Sequence, residues 1–552
     1  MKIALCYVSD NLDDYVNDIY SLFMRDKDDY LDDGLDIPVY SYKLTKSLYI
    51  EEEIIICLID DEFVLKKNIF SEFYTKNKDK RYIFISFSDY FNKIDIIASC
   101  NYIDGDRGSS YITREILYEL TRYILDEDKL KLFISYSRRD KDKTMIDSFI
   151  QYLKLDTKFD TFFDVNNIAY GENFEEVIEE NIKNSLFLAF LTDSYSSREF
   201  CKKEILWAKK NSMPIVILNY LDKKENRSFP YMYNVPQIKV AKFENIIFEI
   251  LLEALKIQNN KNKLEKIRKK SLLKYKIVSK TIEPLDVLRY KNKTILYPDP
   301  PISNDEKSLL TLRGNKLITP MVLLSKSNIN KKIAISISET NDFDNGLSIE
   351  HLRDLCIEIV RFLFVTNNTI VYGGDIKYSL GLNFAEIIFE LSLKYSKKKP
   401  AVINPLPTQF YKNIDNEFKL KYIDIIKFKE LKNSDLSKMR KYLSQREDAR
   451  VVIGGKVSGF SGKYPGVLEE AYYTLKAKKP LFIIGAFGGV AKKIVKLREG
   501  KEIKEWQGYK IYNAIKEDAL NNGLSKKENT ILFYSKDIEK IIGVLLKGLK
   551  NV

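Results

Sequence analysis

The sequence predicts a multidomain α/β protein built on small parallel sheets. Three observations lead there. Short apolar runs alternate with helix-spaced amphipathic segments over most of the chain. The pattern of residues 1–125 recurs, more fully, over residues 130–255. Towards the C-terminus four glycine clusters each follow an apolar run, and three of them precede a helical pattern. A length of 552 residues suits three or four domains at roughly 150 residues each.

Residues 1–127 form the first expected domain. Ile3–Val8 is a short apolar strand and Asp13–Met24 has helical spacing. Ile37–Tyr42, Ile54–Ile59 and Tyr82–Phe87 are further strands, and Ile112–Leu125 is a helix. Residues 128–255 form the second. Leu132–Tyr136 is its first strand, followed by SRRDK and a helix, Thr144–Leu155. Thr161–Phe163 is a strand running into the loop DVNNIAYGENF, and Glu175–Asn184 is an acidic helix. Apolar runs Leu186–Leu191 and Pro214–Leu218 bracket the stretch SYSSREFCKKEILWAKK, Ser194–Lys210, which reads as a loop and helix between two buried strands. A helix near Glu244–Leu255 closes the unit.

The halves read as a diverged repeat. IALCYVSDN parallels LFISYSRRD, IICLIDDEF parallels LAFLTDSYS, and YIFISF parallels PIVILNY. Glu72 follows Asp61 by eleven residues, as Glu204 follows Asp193. The first copy has only about ten residues between its second and third strands, so it lacks room for the loop and helix of the second. It reads as a degenerate module suited to assembly rather than chemistry, with activity through Glu72 left open.

Residues 256–300 form a basic linker. Lys256–Lys280 carries ten Lys/Arg and one Glu. It lacks interleaved aromatics beyond Tyr275, so nucleic acid is not the expected partner. YPDPPIS, Tyr297–Ser303, breaks structure and marks a boundary. Residues 301–552 form the last expected domain. Its strands are Lys332–Ile337, Thr369–Val371, Ala401–Asn404, Arg450–Ile453 and Leu481–Ile484, and its helices His351–Phe364, Asn383–Ser392, Val467–Ala477 and Ala491–Leu497.

Composition narrows the chemistry. Apolar residues at 45% and aromatics at 12% are ordinary for folded domains. Cys6, Cys57, Cys100, Cys201 and Cys356 are scattered without a CxxC, which fits reduced thiols rather than a disulfide frame or a zinc site. The one histidine, His351, nearly excludes His-based triads and His-rich metal sites. Acid–base work therefore falls to Asp, Glu, Lys, Tyr or Cys, and no metal is expected. MKIALCYVSDNLDD turns acidic too soon for a signal peptide, and no apolar run approaches the ~20 residues of a membrane span. A soluble, cytoplasmic protein without a membrane partner is expected. The net charge of +12 is mixed along the chain and fits a generally Lys-rich composition.

The second module resembles the TIR domain family. FISYSRRDK (Phe133–Lys141), FFDVNNIAYGENF (Phe162–Phe174), the helix EEVIEENIKNS and SYSSREFCKKEILWA (Ser194–Ala208) carry the resemblance, over about 125 residues. It implies a flavodoxin-like parallel sheet in each of the two modules. TIR domains act either as scaffolds or as NAD-cleaving enzymes. The enzymatic kind has a glutamate on the helix after strand three, a few residues after an aromatic or cysteine, and Glu204 stands there. The resemblance makes Glu204 the catalytic candidate, with NAD as substrate and no bound cofactor. Phe200, one helical turn earlier, offers a face for ring stacking where family members often carry Trp. Ser135, Ser137 and Arg138 leave the C-terminal end of the first strand, where open α/β sheets bind ligands. With Asp164 of the loop they are the candidate NAD-binding residues. Packing for Ser135, and turn formation for Asp164 and Gly171, remain open alternatives. Trp207 and Cys201 read as core.

The last domain resembles the SLOG group, relatives of the LOG phosphoribohydrolases and Rossmann-like sensors. IAISIS (Ile333–Ser338), VYGGD (Val371–Asp375), GGKVSGFSGKYPGVLEEA (Gly454–Ala471) and LFIIGAFGG (Leu481–Gly489) carry it. Backbone amides at such turns suit phosphate. The resemblance implies a Rossmann-like ligand-sensing domain, with Ser338, Gly373, Gly374, Lys456, Lys463, Glu469 and Gly488 as candidate signal-binding residues. Lys456 and Lys463 would neutralise phosphate and Glu469 would accept from ribose hydroxyls, with a helix N-terminal charge pair of Glu469 and Glu470 as the alternative. Lys463 and Tyr464 stand where LOG enzymes carry small glycines, and Val467 replaces their Thr, which argues for binding without hydrolysis.

Together the resemblances imply an antiphage-type immune effector. A nucleotide-derived signal, a cyclic nucleotide or a cyclic ADP-ribose isomer, would bind the SLOG-like domain, drive a homo-oligomer or filament, and switch on NAD hydrolysis. A non-enzymatic TIR scaffold and a LOG-like phosphoribohydrolase in the C-terminal domain are the alternatives.

Overall fold

The computed structural model describes residues 1–23, 35, 37–137, 143–162, 174–221, 232, 234–239, 242–271, 274–302, 304–324, 328–343, 346–374 and 383–552. It divides into two compact units, one ending at Pro320 and the other beginning at Met321. Among the described residues no helix is long and apolar enough to cross a membrane.

The first unit holds two five-stranded parallel sheets of the same topology. The first sheet contains β1 (Ile3–Tyr7), β2 (Val39–Lys43), β3 (Ile54–Ile59), β4 (Arg81–Ser86) and β5 (Ile103–Asp104). The second contains β6 (Lys131–Ser135), β7 (Asp160–Phe162), β8 (Leu186–Leu191), β9 (Ile215–Asn219) and β10 (Gln237–Lys239). The orders β2-β1-β3-β4-β5 and β7-β6-β8-β9-β10 are both 2-1-3-4-5, the flavodoxin-like arrangement. β3 and β8, buried along their full length, are the continuous apolar runs that a doubly covered parallel strand requires.

The helices are α1 (Asp13–Phe23), α2 (Asp61–Leu65), α3 (Lys67–Lys76), α4 (Ser109–Leu125), α5 (Lys143–Asp156), α6 (Phe174–Lys183), α7 (Glu199–Lys210) and α8 (Phe243–Lys270). No helix lies between β2 and β3, as the short spacing requires. The two copies share one apolar core, because α4, the last helix of the first, packs on α8, the last helix of the second. Ile112, Ile116 and Leu120 meet a stripe of Ile246, Ile250 and Leu251 in the same cluster. Polar ties cross this seam: Tyr118 donates to the Lys158 carbonyl at 3.0 Å, and Arg114 donates to the Tyr152 hydroxyl at 3.1 Å.

The segment read as a linker is largely structured. α8 runs on for 28 residues through the basic stretch, with Ile257 and Leu264 buried along it. Residues 276–318 then form a small three-stranded parallel sheet: β11 (Lys276–Ile277), β12 (Thr294–Leu296) and β13 (Lys316–Ile318). β13 pairs with β12 across the YPDPPIS break, so the compact unit continues to Pro320 rather than ending near residue 300.

The second unit is a six-stranded parallel sheet. Its strands are β14 (Lys332–Ser338), β15 (Thr369–Val371), β16 (Val402–Pro407), β17 (Ile426–Leu431), β18 (Ala449–Gly454) and β19 (Leu481–Ile484). The order β17-β16-β15-β14-β18-β19 reverses direction between β14 and β18, a Rossmann-like switch point. The sole histidine is structural: His351 is 4% exposed, and its Nδ1 accepts from the Ser348 backbone at 3.1 Å at a helix start.

Candidate functional site

In the second sheet of the first unit the strand order reverses between β6 and β8. α7 follows β8, and its register is set by Cys201, Ile205 and Ala208, which bury against Phe133, Phe187 and Ala189. That register leaves Glu204 half-buried. Ser135, the last residue of β6, donates its hydroxyl proton to Glu204 Oε2. Ser135 is 1% exposed and lies 2.6 Å from the hydroxyl of Tyr195, which is fully buried. Burial, reinforced by Cys201 and Glu204, raises the Tyr195 phenol well above its usual range, and the Ser135 hydrogen bond pulls weakly the other way. A hydrogen bond to a charged group is worth about 1.5–3 kcal/mol, enough to fix one carboxylate rotamer.

Of the residues expected to contact NAD, Ser135 and Ser137 are brought to this edge. Ser137 is 3% exposed and its Oγ is 2.5 Å from that of Ser194. The geometry gives Ser135 to the glutamate rather than to an open face. Phe200 is at the surface one turn before Glu204, with Lys203 Nζ 5.5 Å from its ring centroid. Arg138, Asp164 and Gly171 lie outside the described residues. Cys201 is 4% exposed and its thiol is directed at the Tyr136 carbonyl, 3.7 Å away. Trp207 packs against the core cluster. Tyr195 stays hidden in the linear order as an aromatic among others, because its partner lies sixty positions away.

The C-terminal end of α7 is tied down from outside the sheet. Lys209 Nζ sits 2.9 and 3.1 Å from the two oxygens of Glu283, and both side chains are 2% exposed. Burial, with Lys280 adding repulsion, lowers the Lys209 pKa. Lys280 also pairs with Glu283, and Arg289 donates to the Lys209 carbonyl at 3.4 Å.

In the first copy the equivalent positions are apolar. Cys6 pairs with Cys57 as Ser135 pairs with Ala189, and α3 begins as far after β3 as α7 begins after β8. In that register Cys6 stands for Ser135, Phe63 for Tyr195 and Glu72 for Glu204. Cys6 and Phe63 are fully buried, whereas Glu72 is exposed.

In the second unit the candidate residues gather at the switch point. The Ser338 carbonyl accepts from Gly455 N at 3.0 Å and its hydroxyl from Lys456 N at 3.1 Å. Gly489 lies under the Gly455 carbonyl, and a Cβ on Gly488 would come within 2.3 Å of the Asp342 carbonyl. With φ of +80° at Gly488 and +105° at Gly455, both positions require glycine twice over, for conformation and for space. Gly373 and Gly374 follow β15, where side chains would strike Leu443 and the Tyr372 ring. Lys456 and Lys463 are exposed. Glu469 departs from the expectation that it would meet ribose hydroxyls. It is 2% exposed and paired with Arg440 at 2.5 Å. Arg440 also crowds Gly466, so this pair fixes the turn before the helix Gly466–Lys476. Beneath the turns, fully buried Arg450 joins Glu447, Glu470, Thr474 and Ser336. Burial opposes its charge, but Glu447 and Glu470 outweigh that and raise its pKa. Neither the Arg440–Glu469 nor the Arg450–Glu470 pair was visible in the sequence, because the two acids lie on another element, twenty or more positions away. A cavity of about 420 Å³ lies beside β17, among Lys399, Tyr411, Lys419, Lys427 and Phe428, and none of the expected residues lines it.

These folds define the class: a multidomain α/β protein with doubly wound parallel sheets and polar clusters at their switch points. Residues 132–244 match the TIR domain family, and residues 327–436 and 430–516 match SLOG cluster2. The chain is a TIR–SLOG fusion. No curated protein matches it.

Proposed function

We propose that the chain is an NAD glycohydrolase of the antiphage effector type, acting in the cytoplasm and switched on through its SLOG domain. The observation that carries this is the half-buried Glu204 carboxylate, oriented by Ser135 at the C-terminal edge between β6 and β8. Loss of nicotinamide leaves positive charge on the ribose C1 and ring oxygen. A carboxylate beside that carbon stabilises the oxocarbenium-like state by its charge or by brief covalent capture. Nicotinamide departs from NAD as a neutral molecule, so no acid is needed to protonate it. One carboxylate therefore suffices, in a chain whose sole histidine caps a helix. Phe200 supplies a ring face nearby, and Ser137 and Arg138 are the polar groups proposed for ribose and pyrophosphate.

In the SLOG domain the ligand is proposed to be nucleotide-derived, with exposed Lys456 beside Ser338 and exposed Lys463 on the loop before the helix Gly466–Lys476 as its phosphate partners. A signal acts only by binding an assembled, active arrangement more tightly than the inactive one. The test is incubation of the full chain with NAD and a panel of cyclic nucleotides and cyclic ADP-ribose isomers, following nicotinamide and particle size together. Nicotinamide release that coincides with assembly supports the proposal. Assembly without NAD loss at any ligand concentration makes the TIR domain a scaffold. Lys463→Ala should weaken signal binding about tenfold while leaving the melting of the chain unchanged, and unaltered affinity would remove Lys463 from the site.

A further inference from the structure

We propose that Tyr195 is a positioning residue for the NAD-cleaving reaction, acting on Glu204 through Ser135. The inference rests on the reading of Glu204 as the reacting carboxylate. The Ser135 hydroxyl has one proton, and it goes to Glu204 Oε2. The oxygen of Ser135 must then accept from its other neighbour, so the 2.6 Å contact runs from the Tyr195 hydroxyl to Ser135. The result is a directed relay from phenol to hydroxyl to carboxylate. Its inner two members are sealed from water, Tyr195 fully and Ser135 to 1% exposure. Burial favours the protonated phenol, so Tyr195 remains a donor throughout the neutral range. Each donor in such a chain polarises the next, which favours the ionised form of the carboxylate at its end.

The first copy supplies an internal comparison. The same register there has Cys6 and Phe63 in place of the two hydroxyls, and its glutamate, Glu72, is exposed. Where the relay is missing, the carboxylate is not drawn in against the strand end. Phe63 also shows that a phenylalanine fits this place in the fold, so Tyr195→Phe is a conservative probe.

The experiment uses the full chain in four forms: wild type, Tyr195→Phe, Ser135→Ala and Glu204→Gln. The Glu204 carboxylate is titrated by infrared difference spectroscopy of glutamate-labelled protein, with Glu204→Gln identifying its band. Nicotinamide release is measured on the same samples with NAD at varied pH. The relay predicts that the titration midpoint rises by about one unit in Tyr195→Phe and further in Ser135→Ala. It predicts a fall in kcat of roughly tenfold in Tyr195→Phe with KM within about twofold, and a pH profile displaced to the same side. A midpoint unchanged in both variants overturns the relay. A shift in Ser135→Ala alone removes Tyr195 from it. Because the titration requires no turnover, it judges the relay even if Glu204→Gln still releases nicotinamide, a result that would instead sink the reading of Glu204.

Discussion

The two sheets of the first unit have the same strand order and the same helix after their third strand, yet they differ at the point where that order reverses. In the second copy the strand end meets the helix through Ser135, Tyr195 and Glu204. In the first it meets it through Cys6 and Phe63, with Phe70 packed against Phe63 at 5.1 Å between ring centroids. A second contrast lies at the helix end. Lys209 reaches out to Glu283, whereas its equivalent in the first copy, Asn77, turns inward and bonds the backbone of Ile50 and Leu48 at 3.0 and 2.9 Å. A shared topology thus supports either a polar edge linked to its surroundings or a closed apolar one. The choice falls on a handful of side chains that contribute little to the strands themselves.

This contrast can be broken most sharply at the glutamates. Glu204→Gln should lower nicotinamide release by roughly a hundredfold or more, while Glu72→Gln leaves it within about twofold. Equal losses in the two would make both copies enzymatic. Next in size is the buried pair. Lys209→Ala leaves Glu283 with Lys280 as its partner and should lower stability by about 3 kcal/mol, measured by urea denaturation of the full chain. Asn77→Ala deletes three side-chain contacts to backbone in the closed copy and should cost about 1–3 kcal/mol in the same measurement. A larger loss at Asn77 than at Lys209 would reverse the assignment of which helix end is the more firmly held. The smallest effect is alkaline. Tyr195 has a folded pKa above its ordinary value of 10, so the folded chain keeps a proton that the unfolded chain releases above that pH. Its contribution to stability is complete below pH 10 and is lost as pH rises further. Tyr195→Phe should therefore flatten the decline in unfolding free energy between about pH 9 and about pH 11. An unchanged slope would place the phenol in water.

Much of the architecture was legible because it is written in local periodicity. β3, β8, β15 and β19 lie within a residue of the apolar runs that announce them, since a strand covered on both faces must be apolar throughout. Glu204 was legible as a helix position following such a strand. What escaped was whatever depends on distant pairing. Ser135 looked like an edge hydroxyl open to substrate, but Tyr195 and Glu204, sixty and sixty-nine positions away, enclose it. Glu469 looked like a ribose acceptor because nothing in the linear order announces Arg440. The basic stretch after residue 256 looked like a linker because charge counts conceal the buried Ile257 and Leu264 of a long helix. The edge strand β17 was missed for a different reason. Only Ile426, Phe428 and Leu431 of its residues are apolar, and Lys427, Lys429 and Glu430 between them leave no apolar run on this edge strand.

The seam between α4 and α8 carries a practical warning for anyone wishing to study the second copy in isolation. A truncated chain starting at residue 128 would strip away Ile112, Ile116 and Leu120 and lay the isoleucine stripe of α8 bare to solvent. Such a fragment is expected to clump or misassemble, and its silence in an assay would say nothing about the chemistry of the intact molecule.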